Sequence, residues 1–446
     1  MSINSIMLNI LPGHNTNILS RSGHEPQKGT LHIPIWGDIW NKGLLPEILK
    51  YLEKTHAFEK YVIDFAHESH LWVGCNKDTT PVSMFEWTHF CLEYAGINSD
   101  RVVLKSGDVN VKSAYRGWYK LFSEKSGVHI NDICVEYENY WGTVVYNNHQ
   151  DIFDYIKNHK SKSKVFTYFN GVPRHHRLTM FKHLYDIGLI DKGFVTMLCD
   201  WQDIQIFYRN TQSSMPNLPF PLILENSTDH YYGPLNSHTQ IIPDDFIKAH
   251  AESYLDIISE TTMGNLGVPS EKAFYKDNEI YDDYSGPHEY SFYNPVFLTE
   301  KTWRAIYYGR PFMLLGCRNQ LRKLHEWGFK TFSEFWDEGY DKERTVSKRI
   351  MQVLFNLKSL CDKTDEEIKS IFESDEMKSI LEHNRNCFIE LNKEKKFWFT
   401  DKDRFGDDLQ LSDILPDLDM FDNTSSDEKS FEINRFVGKD CRIISR

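Results

Sequence analysis

Residues 299–316 read Thr-Glu-Lys-Thr-Trp-Arg-Ala-Ile-Tyr-Tyr-Gly-Arg-Pro-Phe-Met-Leu-Leu-Gly, and this one stretch holds a whole helix-to-strand unit. Its pattern predicts a helix from Glu300 to Tyr308 and a stop at Gly309, where a residue without Cβ can turn left-handed. Pro311 then leads into a short apolar strand, Phe312–Leu315, closed by Gly316. The same alternation runs upstream. Val165–Phe169 reads as a strand, followed by a helix in which Pro173 suits the first position and Leu178, Phe181, Leu184 and Tyr185 share a face. Gly188 can end that helix, and Tyr254–Ile258 reads as the next strand, ending in Ser259-Glu260-Thr261. In the first half, Leu44–Leu52 and Phe85–Tyr94 have helical spacing, while Tyr61–Phe65 and Arg101–Leu104 read as strands, the second closed by Ser106-Gly107-Asp108. Strands alternating with helices at this spacing imply an α/β fold with parallel sheets covered on both faces.

A chain of 446 residues is long enough for two or three domains. The expected organisation is an α/β domain over 1–160, a second over 165–341, and a helical extension with an acidic tail over 342–446 that packs back on the N-terminal domain. The polar run Lys157–Lys164 is the candidate linker, a solvated helix end being the alternative reading. An aromatic content of 14% argues against a disordered chain, because such rings bury enough apolar surface to offset ordering entropy. The net charge of −13 argues against broad, nonspecific nucleic-acid binding while leaving room for a local basic groove. No apolar run reaches the roughly 20 residues of a membrane helix. The N-terminus does not read as a signal peptide, and the eight scattered cysteines form no C-x-x-C pair, so a reducing cytoplasm is the expected location.

In sheets of this kind ligands bind beyond the carboxyl ends of the strands. Three polar clusters fall there. Asn170-Gly171-Val172-Pro173-Arg174-His175-His176-Arg177 sets two arginines near a helix start, where free N–H groups and the helix dipole favour a diphosphate. Cationic side chains at a helix N-terminus are themselves unfavourable, so both arginines need compensation; a merely solvated basic turn is the alternative. Thr299-Glu300-Lys301 opens the second helix. A carboxylate there can accept from ribose hydroxyls, and an ammonium can meet a phosphate. A surface salt bridge between Glu300 and Lys301 is the weaker account, since neighbouring positions do not face one another across a helix. Glu260, after the strand at 254–258, could face the sugar or base, or cap a loop.

The run Phe297–Gly316, with Gly328–Asp341 downstream, resembles the donor-binding motif of fucosyltransferase-type enzymes of the GT-B fold and is similar to glycosyltransferases carried by tailed phages. Residues 169–184 resemble the Asn-then-Arg segment that precedes the motif in those enzymes. The resemblance covers roughly residues 165–341. It implies two Rossmann-like domains facing a cleft, with a nucleotide-sugar donor on the second. Carried over, Lys301 and one of Arg174 or Arg177 would hold the diphosphate, Glu300 the ribose, and Asn170 the pocket wall. Arg310-Pro311-Phe312 departs from the more apolar turn of the fucosyltransferases, so a UDP-sugar stands beside a GDP-sugar as donor.

The first half should then supply the acceptor site and the base. Asp64-Phe65-Ala66-His67-Glu68-Ser69-His70 follows a predicted strand, and Glu68 is the first choice of base, with Asp64 and His67 behind it; a structural role for each is the alternative. Trp36-Gly37-Asp38 and Ser106-Gly107-Asp108 are further loops on the same rim. The Asp-x-Asp triplets at Asp401–Asp403 and Asp417–Asp419 follow no strand, so no metal is expected and Arg, Lys and helix dipoles would meet the phosphate charge. The acceptor is a glycan or a hydroxymethylated pyrimidine in phage DNA, which would be flipped out for reaction. A noncatalytic nucleotide or glycan binder on the same fold, such as a virion or assembly protein, is the alternative function. The enzyme would work in the cytoplasm, the host's if phage-encoded.

Overall fold

The computed structural model describes residues 30–35, 45–55, 57–65, 72–73, 82–126, 130–148, 152–171, 174–197, 222, 244–261, 296–343 and 345–393. Two parallel four-stranded sheets organise them. The first contains β1 (Thr30–Pro34), β2 (Lys60–Phe65), β5 (Val102–Ser106) and β6 (Cys134–Tyr137), in the order β1-β2-β5-β6. Helices α1 (Leu45–Thr55), α2 (Met84–Ala95) and α3 (Val111–Ser126) make its crossovers, and a short antiparallel pair, β3 (Trp72–Val73) and β4 (Val82–Ser83), precedes α2. Every residue of β5 is buried, as is all of β2 after Lys60. Such near-continuous burial is what helices or other layers on both faces of a parallel sheet produce.

The second sheet contains β7 (Lys164–Asn170), β8 (Gly193–Met197), β9 (Ser253–Ser259) and β10 (Phe312–Leu315), in the order β10-β9-β7-β8. In the first sheet spatial order follows chain order. Here the chain reverses: β8 lies on one flank of β7 and β9 on the other. The loops after β7 and β9 therefore diverge, which makes this the topological switch point where open α/β sheets bind ligands.

Helices α4 (Tyr140–Asn148) and α5 (Ile152–Asn158) precede the lysine-rich stretch, yet Val145 and Ile156 belong to the core that contains the second sheet. With α8 (Glu300–Tyr307) and α12 (Asp375–Asn392) they form an aromatic layer in which Phe388 meets Tyr146, Tyr307 and Trp303. The Arg385 guanidinium lies 3.9 Å from the Phe153 ring centre. The chain thus enters the packing of the second sheet soon after β6. The candidate linker is tied to that unit: Lys162 Nζ donates to Ala251 O at 2.6 Å, and Ser163 N to Glu252 O at 2.9 Å. Of the helical extension, α10 (Val346–Cys361) packs on β10 and on α6 (His175–Asp186), α11 (Asp365–Phe372) on α12, and α12 on α8, while α7 (Asp244–Ala251) packs on β9 and α9 (Gln320–Glu326) follows β10. Apolar residues of α10 and α12, among them Ile350, Val353, Leu357 and Phe388, join the same core as the second sheet. The acidic tail lies outside the described residues.

The helix stops fall where the glycines predict them. Gly309 sits at φ +63° with Gly309 N on Ile306 O and Arg310 N on Ala305 O, the paired bonds of a left-handed helix end. A Cβ there would also stand 2.8 Å from the Phe153 ring. Arg310, the departure from the fucosyltransferase pattern, is buried in an ion pair. Its Nε and Nη2 donate to Asp256 Oδ1 at 3.2 and 3.0 Å, and the same oxygen accepts from Thr167 Oγ1 at 2.8 Å and lies 3.1 Å from His250 Nδ1. Nη2 also donates to Ser253 Oγ at 2.8 Å. Burial works against the Asp256 charge, but Arg310 and His250 overcome it and hold the carboxyl well below its usual range.

Removing one partner leaves the other charge buried. Arg310→Met should lower unfolding free energy by about 3 kcal/mol or more, read from urea denaturation at neutral pH. Because the folded state keeps Asp256 ionised, the ion pair's contribution in the unaltered protein should be intact above the ordinary carboxylate range and fade as pH falls below about 4.

Candidate functional site

Asn170 is the last residue of β7. Its backbone N–H donates to Thr196 Oγ1 at 3.2 Å, while the side chain is 2% exposed, interacts with the Tyr168 side chain and makes no hydrogen bond of full geometry. A buried amide held this weakly costs stability, and it lies at the carboxyl end of β7, where ligands bind in such sheets. Gly171 follows, and a Cβ built on it meets nothing within 4 Å.

The two arginines after it differ. Helix α6 begins at His175, so Arg174 is its N-cap, in extended conformation, and Arg177 is one turn in. Arg177 is buried: its Nη2 donates to Glu260 O at 3.1 Å and Ser259 O at 3.3 Å, while His176 Nε2 lies 2.9 Å from Glu260 O. These carbonyls at the end of β9 supply the compensation that a cation near a helix start requires. Burial and the neighbouring Arg174 press Arg177 down to about 10, still a cation at neutral pH. Arg174 is half-buried, whereas Arg177 is buried and bonded to the end of β9. Of the pair, Arg174 is the one that reaches solvent, and Arg177 is a clamp.

Glu260 joins the elements. Its carboxylate accepts from Thr299 N at 3.0 Å, from the hydroxyls of Thr299 and Thr302, and from Thr261 N at 3.3 Å. Its own N–H donates to Leu315 O at 2.8 Å. Of its two readings from sequence, capping describes what this carboxylate does. Thr299 in turn caps α8, accepting from Lys301 N at 3.4 Å.

Glu300 and Lys301 do meet, against the weaker standing that spacing assigns to such a bridge: Lys301 Nζ lies 2.7 Å from Glu300 Oε1. Side chains in a first turn tilt past the helix end, where nothing separates neighbours and the lysine stem can fold back. Lys301 Nζ also donates to Thr299 Oγ1 at 3.2 Å and Thr261 Oγ1 at 3.4 Å. Burial alone would raise the Glu300 carboxyl, but Lys301 and Arg304 outweigh it and bring the group down to about 2. Glu300 is therefore an acceptor at any working pH, as a ribose contact requires, and Lys301 a partly exposed cation.

On the first sheet Asp64 is buried in β2, one residue from its end. His67, Glu68 and the loop Trp36-Gly37-Asp38 lie outside the described residues. Asp108, which sequence marks only as part of a turn, is fully buried, and burial pushes its carboxyl up to about 7. The composition of Ser106-Gly107-Asp108 carries no sign of that; only the packing around it does. Among the described residues no three His, Cys, Asp or Glu side chains gather as a metal-holding group, and no helix is long and apolar enough to cross a membrane. Compared with known proteins, the chain matches no family model, no curated protein and no solved structure.

Glu260→Ala should strip three buried donors of α8's start of their acceptor and cost on the order of 3 kcal/mol in chemical denaturation. Glu260→Gln, which keeps an acceptor oxygen, should cost markedly less.

Proposed function

We propose that the protein is a glycosyltransferase that binds a nucleotide-sugar, UDP- or GDP-linked, at the switch point of the second sheet. The observation that carries this reading is the convergence on Glu260: the end of β9 holds the starts of α6 and α8 together, and with them Arg174, Lys301, Glu300 and the weakly held amide of Asn170. Two helix N-termini and two cations suit a diphosphate, and an ionised buried carboxylate beside them suits the hydroxyls of a ribose. The resemblance of Phe297–Gly316 to the fucosyltransferase-type donor motif supports the same assignment, and with it a GT-B arrangement in which residues of the first sheet face the donor across a cleft.

The reaction follows from those roles. A general base of the first unit, Glu68 ahead of Asp64 or His67, takes the proton of an acceptor hydroxyl. The oxygen attacks the anomeric carbon, and the bond to the diphosphate breaks with its electron pair on the leaving oxygen. Arg174, Lys301 and the helix starts stabilise that charge, the electrostatic contribution that usually weighs most. The acceptor is a glycan or a hydroxymethylpyrimidine in phage DNA.

The direct test is release of nucleoside diphosphate from UDP-, GDP- and ADP-sugars, each alone and with duplex DNA containing hydroxymethylcytosine. Release stimulated by that DNA identifies a DNA-modifying enzyme and its donor; release without stimulation favours a glycan acceptor. Nucleotide binding without release under any condition points to the noncatalytic binder, and neither binding nor release sinks the donor site. Within the site, Arg174→Ala should weaken nucleoside diphosphate binding about tenfold or more, as loss of a charge-assisted contact does, with the melting temperature unmoved. Arg177→Ala should instead lower the melting temperature, because it frees the end of β9.

A further inference from the structure

Asp108 stands just beyond β5, in the first sheet's half of the chain, and bonds to the segment that leads into α8. Its Oδ1 accepts from Val296 N at 3.0 Å and from Asn110 N at 2.8 Å, the second of these at the start of α3. Val109 N donates to Val296 O at 2.9 Å, so the β5 loop and the α8 lead-in are joined by a pair of hydrogen bonds running in opposite directions. Asp108 N is fixed in its turn by Ser106 Oγ at 3.1 Å. Three residues after Val296 comes Thr299, the cap of α8, and then Glu300 and Lys301. The carboxyl has no exposed surface, and its Oδ2 makes no hydrogen bond.

We propose that Asp108 is a positioning residue for the donor site, a latch whose carboxyl couples the first sheet to the start of α8 and so sets Glu300 and Lys301. This rests on the reading of α8's start as the donor site. A ring contact also joins the two halves, Tyr137 of β6 against Trp327 at 5.7 Å between centres, but it fixes no main-chain group of α8's first turn. A latch through main-chain groups of Val109 and Val296 makes the placement of α8's first turn depend on a group almost two hundred residues upstream.

The latch responds to protons. Burial raises the carboxyl to about 7, and the N–H groups of Val296 and Asn110 only partly offset that. The charged groups around it are accounted for elsewhere. Lys105, one strand-end away, is held by Glu138 at 2.7 Å, and Asp64 stands opposite Lys105 in β2. Tyr137 of β6 feels the Asp108 charge and is itself pushed far above its ordinary value by burial. A neutral carboxyl keeps Oδ1 as acceptor for both N–H groups; an ionised one holds a charge away from water. Since the closed state raises the proton affinity, its stabilisation is complete below the ordinary carboxylate range and is lost as pH rises through about 7. With one proton involved, the open fraction should grow about tenfold per pH unit between the ordinary carboxylate range and about 7, and level off above it.

Hydrogen–deuterium exchange at Val109 and Val296, corrected for intrinsic rates, reads the latch directly at pH 6 and pH 8.5. UDP and GDP affinities, measured on the same samples, read its effect on the site. The unaltered protein should protect both amides and bind nucleotide better at pH 6. Asp108→Asn, which keeps the acceptor oxygen and cannot ionise, should protect them and bind equally at both pH values. Asp108→Ala should lose protection and bind about tenfold more weakly at both. Equal protection in the unaltered protein and Asp108→Ala, or the same pH dependence in Asp108→Asn as in the unaltered protein, overturns the latch. Loss of protection with affinity unmoved overturns the positioning role. The expected exchange pattern with no nucleotide bound by the unaltered protein overturns the donor-site reading and leaves the coupling of the two halves supported.

Discussion

Glu260 is fully buried, and three elements of the second sheet meet on it. A carboxylate in such a place is tolerated only when its lone pairs are filled, and here the donors come from the cap and first turn of α8 and from its own loop. Its main chain does as much: the N–H holds the end of β10, and the carbonyl receives Arg177 and His176 from α6. Two helices that begin far apart in sequence are thereby made to start beside one another. Without that junction Asn170, Arg174, Glu300 and Lys301 would be four polar residues on two unrelated segments.

A second buried carboxylate, Asp256, lies four residues earlier in the same region and answers a different need. Arg310, His250 and Thr167 surround it, tying β7, β9 and the lead-in to β10 together. The strand β9 thus carries one internally satisfied charge within the sheet and another at its carboxyl end. The division has a consequence for function. Buried cations bonded to the sheet, such as Arg310 and Arg177, hold the framework, whereas the half-buried Arg174 and the weakly held Asn170 gather at the carboxyl end of β7, where the reversal of strand order opens the sheet.

The same distinction explains which site residues could be read from sequence. The order of residues in Thr299-Glu300-Lys301 states a cap followed by two charges, and the structure keeps that local logic. The sequence does not separate Arg174 from Arg177, because both occupy one basic cluster; their roles part only when β9 arrives to accept from one of them. Asp108 is less legible still. Ser106-Gly107-Asp108 has the composition of any turn, and its unusual proton affinity comes from the core closing over the carboxyl, a rise that the Val296 and Asn110 N–H groups only partly offset.

Local pattern determined the elements themselves. Period and breakers placed the helix over 300–308, one residue longer than α8, its stop at Gly309, the strands β2, β7, β9 and β10, and the parallel α/β class, because burial on both faces and backbone hydrogen bonding act over a few residues at a time. The strands β1, β6 and β8 carry weaker patterns, and the placing of α4 and α5 with the second sheet runs against the composition of the lysine-rich stretch that follows them. Those features, the order β10-β9-β7-β8, and the convergence on Glu260 were decided only by the tertiary structure. Which strand becomes a neighbour, and which charge finds an acceptor, depends on contacts between residues tens to hundreds of positions apart, and no local window contains both partners.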